Sequence, residues 1–164
     1  MKRSVFYSFH YEKDIWRVSQ IKNIGVVEGS SIVNPNDWEQ VKRGGDRAIQ
    51  NWIDSQLKYR SCTVVLIGED TADRKWVKYE IEKSWNEGKG VLGIYIHNLL
   101  NVSGYSSKKG KNPFATFTVN NKNMSAIVNT YDPYLSDSRQ AYRYISDNIA
   151  SWVEDAILIR KSYR

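Results

Sequence analysis

Cysteine is all but missing from this chain: Cys62 is the single thiol among 164 residues. One thiol excludes an intramolecular disulfide and any cysteine-rich metal site. Histidine is nearly as scarce, with His10 and His97 alone, so a zinc site built from imidazoles is not expected and no metal ligands are assigned. No apolar run approaches the roughly 18 residues of a membrane span. The opening Met1-Lys2-Arg3-Ser4-Val5-Phe6-Tyr7-Ser8 is basic but has no long apolar core and no small-residue cleavage site, unlike a secretory signal. These absences lead us to expect a protein of the reducing cytoplasm with no membrane partner. What the chain does have is aromatic side chains, 6 Trp, 11 Tyr and 4 Phe, which disordered sequences lack. Its length suits a single domain over 1–164, large enough to bury a core without staples.

Several chemistries common in α/β proteins are also missing. Ser8-Phe9-His10-Tyr11-Glu12-Lys13 follows the first apolar segment where a dinucleotide fingerprint would need G-x-G-x-x-G. No segment matches the P-loop, and no G-x-S-x-G elbow offers a nucleophilic serine. The acids that a phosphoacceptor receiver would place at its strand ends are not where they would be required. Lys plus Arg exceed Asp plus Glu by 24 to 18, a net charge of +6 that favours anionic partners. The stretch from Asn98 to Tyr131 holds Lys108, Lys109, Lys111 and Lys122 and no acid. It has no arginine and no nucleic-acid motif, so it reads as a solvated basic loop, and nucleic acid is not an expected partner.

The order of elements points to an α/β fold. Val5-Phe6-Tyr7-Ser8-Phe9 suits a strand, and the residues around Asp14–Ile21 a helix. Ile24–Val27 suits a short second strand. From Glu28 to Gly45 the pattern is irregular, with Gly29, Pro35 and Gly44-Gly45 as breakers. Asp46 is placed to cap a helix carrying Ile49, Trp52, Ile53 and Leu57 on one face. Cys62–Ile67 is continuously apolar, as a strand covered on both faces must be, and Cys62 is expected to pack as a small hydrophobe. Thr71 or Asp73 is placed to cap a helix with the stripe Val77, Ile81, Trp85. Val91–His97 is a further buried strand, Ala126–Val128 a weaker fifth, and Ser136–Lys161 a long final helix. Alternation of this kind predicts an open, mostly parallel sheet of about five strands between two helical layers. Ligands of such sheets sit beyond the carboxyl ends of the strands, which directs attention to Phe9, His10, Tyr11 and Asp14, to residues 68–71 and to His97 and Asn98.

One carboxylate stands out. Glu80 follows Val77 by three and precedes Ile81, at the edge of the apolar stripe, with Trp76 one turn earlier. A glutamate desolvated beside an indole has a raised pKa and suits proton or oxocarbenium chemistry. The ordinary alternative is a boundary glutamate paired with Lys83, Lys75 or an arginine. For Tyr7, Phe9 and Trp76 the alternative to lining a pocket is core packing. For His10 and His97 it is a satisfied imidazole at a strand end.

Val5-Phe6-Tyr7-Ser8-Phe9 with Asp14 resembles the opening of a TIR domain. Arg74-Lys75-Trp76-Val77-Lys78-Tyr79-Glu80-Ile81 resembles the TIR helix in which a Trp precedes the catalytic Glu by four. The run from Gly45 through Trp85, with Gly93–His97 and Gly110–Phe114, is similar to the TIR-like domain family of bacterial anti-phage defence, which includes the cyclase component of Thoeris systems. The resemblance implies a flavodoxin-like, TIR-like three-layer fold and an enzyme that consumes NAD+ as substrate, without a separate cofactor. Such enzymes cleave the nicotinamide–ribose bond, and Thoeris-type members cyclise ADP-ribose into a signal for a separate effector protein. It further implies Glu80 as the catalytic carboxylate and Tyr7, Ser8, Phe9, His10, Asp14 and Trp76 at the substrate. Arg43, Arg47 and Arg74 are candidates for the pyrophosphate. A phage-derived activator and self-association are expected partners. Two alternatives remain: a non-catalytic, self-associating TIR-like adaptor, using the 28–45 segment, and an enzyme acting on free nucleosides.

Overall fold

The computed structural model describes residues 2–29 and 35–163. In chain order its elements are β1 (Ser4–Ser8), α1 (Tyr11–Lys22), β2 (Glu28–Gly29), α2 (Pro35–Arg43), α3 (Gly45–Leu57), β3 (Cys62–Ile67), α4 (Lys75–Asn86), β4 (Gly90–Tyr95), the small hairpin β5 (Thr118–Val119) and β6 (Lys122–Asn123), then β7 (Thr130–Tyr131) and α5 (Ser138–Lys161). Five strands form one sheet in the order β2-β1-β3-β4-β7, every neighbour parallel. This is the flavodoxin-like winding, in which the connections run outward on either side of the β1/β3 boundary and leave a crevice there.

Strand residues alternate between two cores. On one side Val5, Tyr7, Cys62, Val64, Leu66, Leu92 and Ile94 meet α1 through Val18 and Ile21, and α5 through Ala141, Ile145, Ile149, Trp152 and Val153. Cys62 is fully buried there. On the other side Val65, Ile67, Val91 and Tyr95 meet Val77, Ile81 and Trp85 of α4. Phe6 joins α3 through Ile49, Ile53 and Leu57. The long final helix is fastened at its start by Asp137, whose carboxylate accepts the amides of Arg139 and Gln140.

Four local expectations are corrected. The second strand is not Ile24–Val27 but Glu28–Gly29, because Gly25 takes a left-handed φ of 79° and turns the chain before it pairs. The 28–45 segment is not wholly irregular. Residues 30–34 lie outside the described residues, but Pro35–Arg43 is helix α2, with Pro35 at the first helical position, where its missing amide costs nothing. Trp38 and Val41, three apart, pack against α3. The fifth strand is Thr130–Tyr131, since Met124–Ala126 forms a 3-10 turn and Ile127 and Val128 are apolar because they fill the α4-side core. The expected caps do not cap: Gly44 and Arg74 hold those positions with no side-chain bond. Asp46 instead pairs with Lys75, and the Thr71 hydroxyl accepts the Gly68 amide at 2.8 Å.

Close approach of α5 to β4 depends on Gly90. A Cβ built there would lie 2.8 Å from the Ile157 amide nitrogen and 2.9 Å from the Ala156 carbonyl carbon, both backbone atoms. Gly90→Ala must push helix and strand apart. It is expected to lower the unfolding free energy by about 1–3 kcal/mol, read as an earlier midpoint in guanidinium chloride.

Candidate active site

Beyond the carboxyl end of β1 lies a cleft of about 690 Å³ of empty space, part of it open to solvent. Its floor comes from β1 and α4. In α4 the buried positions are Val77, Glu80, Ile81, Ser84 and Trp85, a regular i, i+3, i+4, i+7, i+8 stripe into which two polar residues are written. In β1 the alternation that sends Phe6 toward α3 also sends Ser8 toward α4. The two meet: the Ser8 hydroxyl donates to Glu80 Oε1 at 2.6 Å. One turn on, Ser84 Oγ donates to the Glu80 carbonyl at 2.6 Å and lies 2.6 Å from Thr63 Oγ1 of β3, fixing α4 against the sheet at this point.

Glu80 is 7% exposed. Among the described residues no Lys, Arg or His pairs with it. Lys83 turns instead to Asp54 and Glu87, and Lys75 to Asp46. The boundary ion pair considered from sequence is therefore not formed. Burial pushes the Glu80 carboxyl up to about 8, against the Ser8 hydrogen bond, which lowers it.

Aromatic rings wall the cleft. Phe9 stacks on Tyr11 with centroids 6.0 Å apart, Tyr11 meets Trp38 at 5.5 Å, and Trp38 meets Trp52 at 5.6 Å. Trp76 stands edge-on to Tyr79 on the α4 side. The charges sit at the rim. Glu12 accepts from Lys42 at 3.0 Å and has Arg74 4.0 Å away. Burial opposes its ionisation, but the bonds from Lys42 and its own amide prevail and hold it below the usual carboxylate range. His10 caps α1, its Nδ1 accepting the Lys13 amide at 3.4 Å, a bond that needs that nitrogen unprotonated. Burial, then Arg74, pushes its pKa below the ordinary value, which matches that requirement.

Of the seven residues expected at the site, Tyr7, Phe9, His10, Trp76 and Glu80 line the cleft. Ser8 lies beneath it, fully buried, with its hydroxyl on Glu80. Asp14 is elsewhere: it is buried against Arg17, 3.2 Å away, whose guanidinium also donates to the carbonyls of Leu99 and Tyr105. Arg74 lines the cleft, whereas Arg43 and Arg47 are exposed away from it. His97 is also outside, half-buried beside Tyr95. Tyr11, among the residues the strand ends single out, also lines the cleft, and sequence reasoning does not find Glu12, Trp38 or Trp52. Trp52 was assigned to a core face, and Trp38 lay in a segment given no periodicity. Among the described residues no three His, Cys, Asp or Glu side chains gather as a metal site requires, and no helix is long and apolar enough to cross a membrane.

The raised pKa makes Glu80 a stability switch of known sign. Below pH about 4.5 its acid form is neutral in folded and unfolded chains alike. Between that pH and about 8 the unfolded chain ionises freely while the folded one resists, so stability falls as pH rises. Glu80→Gln carries no such charge. It should gain on the wild type across this window, by on the order of 4 kcal/mol, with the gain levelling off above the upper pH. Denaturant titrations of both proteins over a pH series check this.

The chain has relatives that share these features. A family model described as "Thoeris protein ThsB, TIR-like domain" matches residues 6–101, more than half of the chain and all of the β1–α4 floor beyond Val5. A protein of Bacillus cereus (strain MSX-D12), named "Putative cyclic ADP-D-ribose synthase ThsB1", is 37% identical over 119 residues. That match covers 70% of this chain and 62% of the relative's length. On the extent of both matches, the chain belongs to the Thoeris ThsB family of TIR-like domains.

Proposed function

We propose that this chain consumes NAD+, breaking the bond between nicotinamide and ribose and closing the remaining ADP-ribose into a cyclic ADP-ribose-type molecule. The observation that carries the reading is the Glu80 carboxyl, buried at the base of an aromatic cleft with a neutral hydroxyl as its hydrogen-bond donor. The name of the Bacillus cereus relative, which specifies cyclic ADP-D-ribose synthesis, supports the same reading.

The nicotinamide ring of NAD+ is a cationic leaving group. When the C1′–N bond breaks, its electron pair neutralises the ring nitrogen, so expulsion needs little acid catalysis. The positive charge passes to C1′ and the ring oxygen of the ribose, and a carboxylate beside the sugar stabilises it there. Glu80 can supply that carboxylate once the substrate is bound. A unit positive charge about 5 Å away, at an effective dielectric of about 20, favours ionisation by about 3 kcal/mol, or about 2 pK units. That brings a carboxyl near 8 to below neutrality. The proton leaves to solvent as the cationic ring enters.

Cyclisation then requires a nucleophilic atom of ADP-ribose, not water, to reach C1′. The wall of Phe9, Tyr11, Trp38 and Trp52 offers faces for planar bases and keeps water out. Arg74 at the rim is the lining arginine that can meet the pyrophosphate. In the cytoplasm of a phage-infected cell the product acts as a signal to a separate effector protein.

Purified protein is to be incubated with NAD+, with and without lysate of phage-infected cells, and the products resolved by liquid chromatography and mass spectrometry. Free nicotinamide and a cyclic product are expected. Glu80→Gln is expected to lower turnover at least about 10²-fold. In the wild type kcat/KM is expected to rise with pH toward about 8, because the carboxylate is the working form. Turnover by Glu80→Gln at the wild-type rate would overturn the assignment.

A further inference from the structure

Ser8, a residue the resemblance places at the substrate, lies beneath the cleft rather than in its wall. It is the last residue of β1, 0% exposed, and paired in register with Val65 of β3. Strand alternation points its side chain into the seam between the sheet and α4, not into the cleft. Its hydroxyl has one proton to donate, and at 2.6 Å that proton is committed to Glu80 Oε1. Among the described residues no other donor to this carboxyl is present, and of these Ser8 fixes how the group is turned. With Oε1 held at the back, Oε2 is the oxygen left to face the cleft that Glu80 lines.

We propose that Ser8 is the positioning residue of the reaction, acting through Glu80: its hydroxyl orients the carboxyl toward the sugar and favours the anionic form over the acid. The inference rests on the reading of Glu80 as the reacting carboxylate. Its physical basis is asymmetric. A hydroxyl donor stabilises an ionised carboxylate more than the neutral acid, because charge-assisted hydrogen bonds are about twice as strong. Burial pushes the other way. Ser8 therefore opposes the desolvation that its own strand helps to impose, without bringing in a cation that would compete with a cationic substrate for the same carboxylate.

The test compares wild type, Ser8→Ala and Ser8→Cys, the last keeping a weaker donor in case the alanine variant does not fold. Two readouts are taken. One is the infrared titration of the protonated carboxyl band, with Glu80→Gln as blank, which needs no turnover. The other is the pH profile of nicotinamide release, with kcat and KM separated. Ser8→Ala should raise the titration midpoint and the kinetic pKa together by about one pH unit. It should also lower kcat/KM for NAD+ at pH 7 by about tenfold, and Ser8→Cys should fall between. An unmoved titration overturns the proposal, whether KM rises, as for a substrate contact, or only the melting temperature falls, as for a structural hydroxyl. If the titration moves but the wild type leaves NAD+ intact under every condition, the hold of Ser8 on Glu80 is supported and the NAD+ reading is rejected.

Discussion

Everything at the rim of this sheet follows from one carboxyl group sealed between β1 and α4. A glutamate at a sheet-facing helix position would ordinarily find a cation or turn toward water. Here the neighbouring lysines are engaged by Asp46, Asp54 and Glu87, and a serine hydroxyl is the partner instead. The cost is large for a domain of ordinary stability, which has only about 5–15 kcal/mol to lose. The surrounding structure meets that cost locally: Ser84 and Thr63 tie the next turn of α4 to β3, and Val77, Ile81 and Trp85 close over the seam. The carboxyl is held in a state the isolated side chain would not choose, the usual condition of a group set aside for chemistry.

Around that group the cleft separates its functions by residue type. Rings from β1, α1, α2 and α3 supply flat apolar surface, while the charges remain at the mouth, where the Glu12 carboxylate lies between Lys42 and Arg74. Fixed charge at the opening and low polarity at the floor is an arrangement in which a cation entering the cleft is felt strongly by the carboxyl and weakly by anything else.

The parallel sheet, its order and its helical layers were legible because continuous apolar runs such as Cys62–Ile67, alternating with amphipathic helices, have few other solutions. Glu80 was legible for a narrower reason: its spacing to Val77, Ile81 and Trp76 put it at the edge of the apolar stripe, and the resemblance to the TIR helix singled it out there. Reading Ser84 into the same stripe would have moved it from the edge to the middle. The rest was hidden by its physics. Trp38 reaches the cleft from a helix opened by a proline that reads as a breaker, and Trp52 is apolar enough to pass for core. The duty of Ser8 depends on which strand faces which helix, and β1 alone does not contain that information. Ile127 and Val128 imitate a strand because burial selects the same residue types in the irregular chain that follows a 3-10 turn.

The pairing of Asp14 with Arg17 has a consequence for how variants of this protein are interpreted. Arg17 is almost wholly enclosed, and its guanidinium grips the carbonyls of Leu99 and Tyr105, so the aspartate is the counter-charge for a clasp that holds the 98–106 loop onto the first helix. Removing that carboxylate would strand a guanidinium in the interior and loosen the loop's hold on the first helix. A screen that scored only product would not separate the loss of that clasp from a loss of chemistry at position 14.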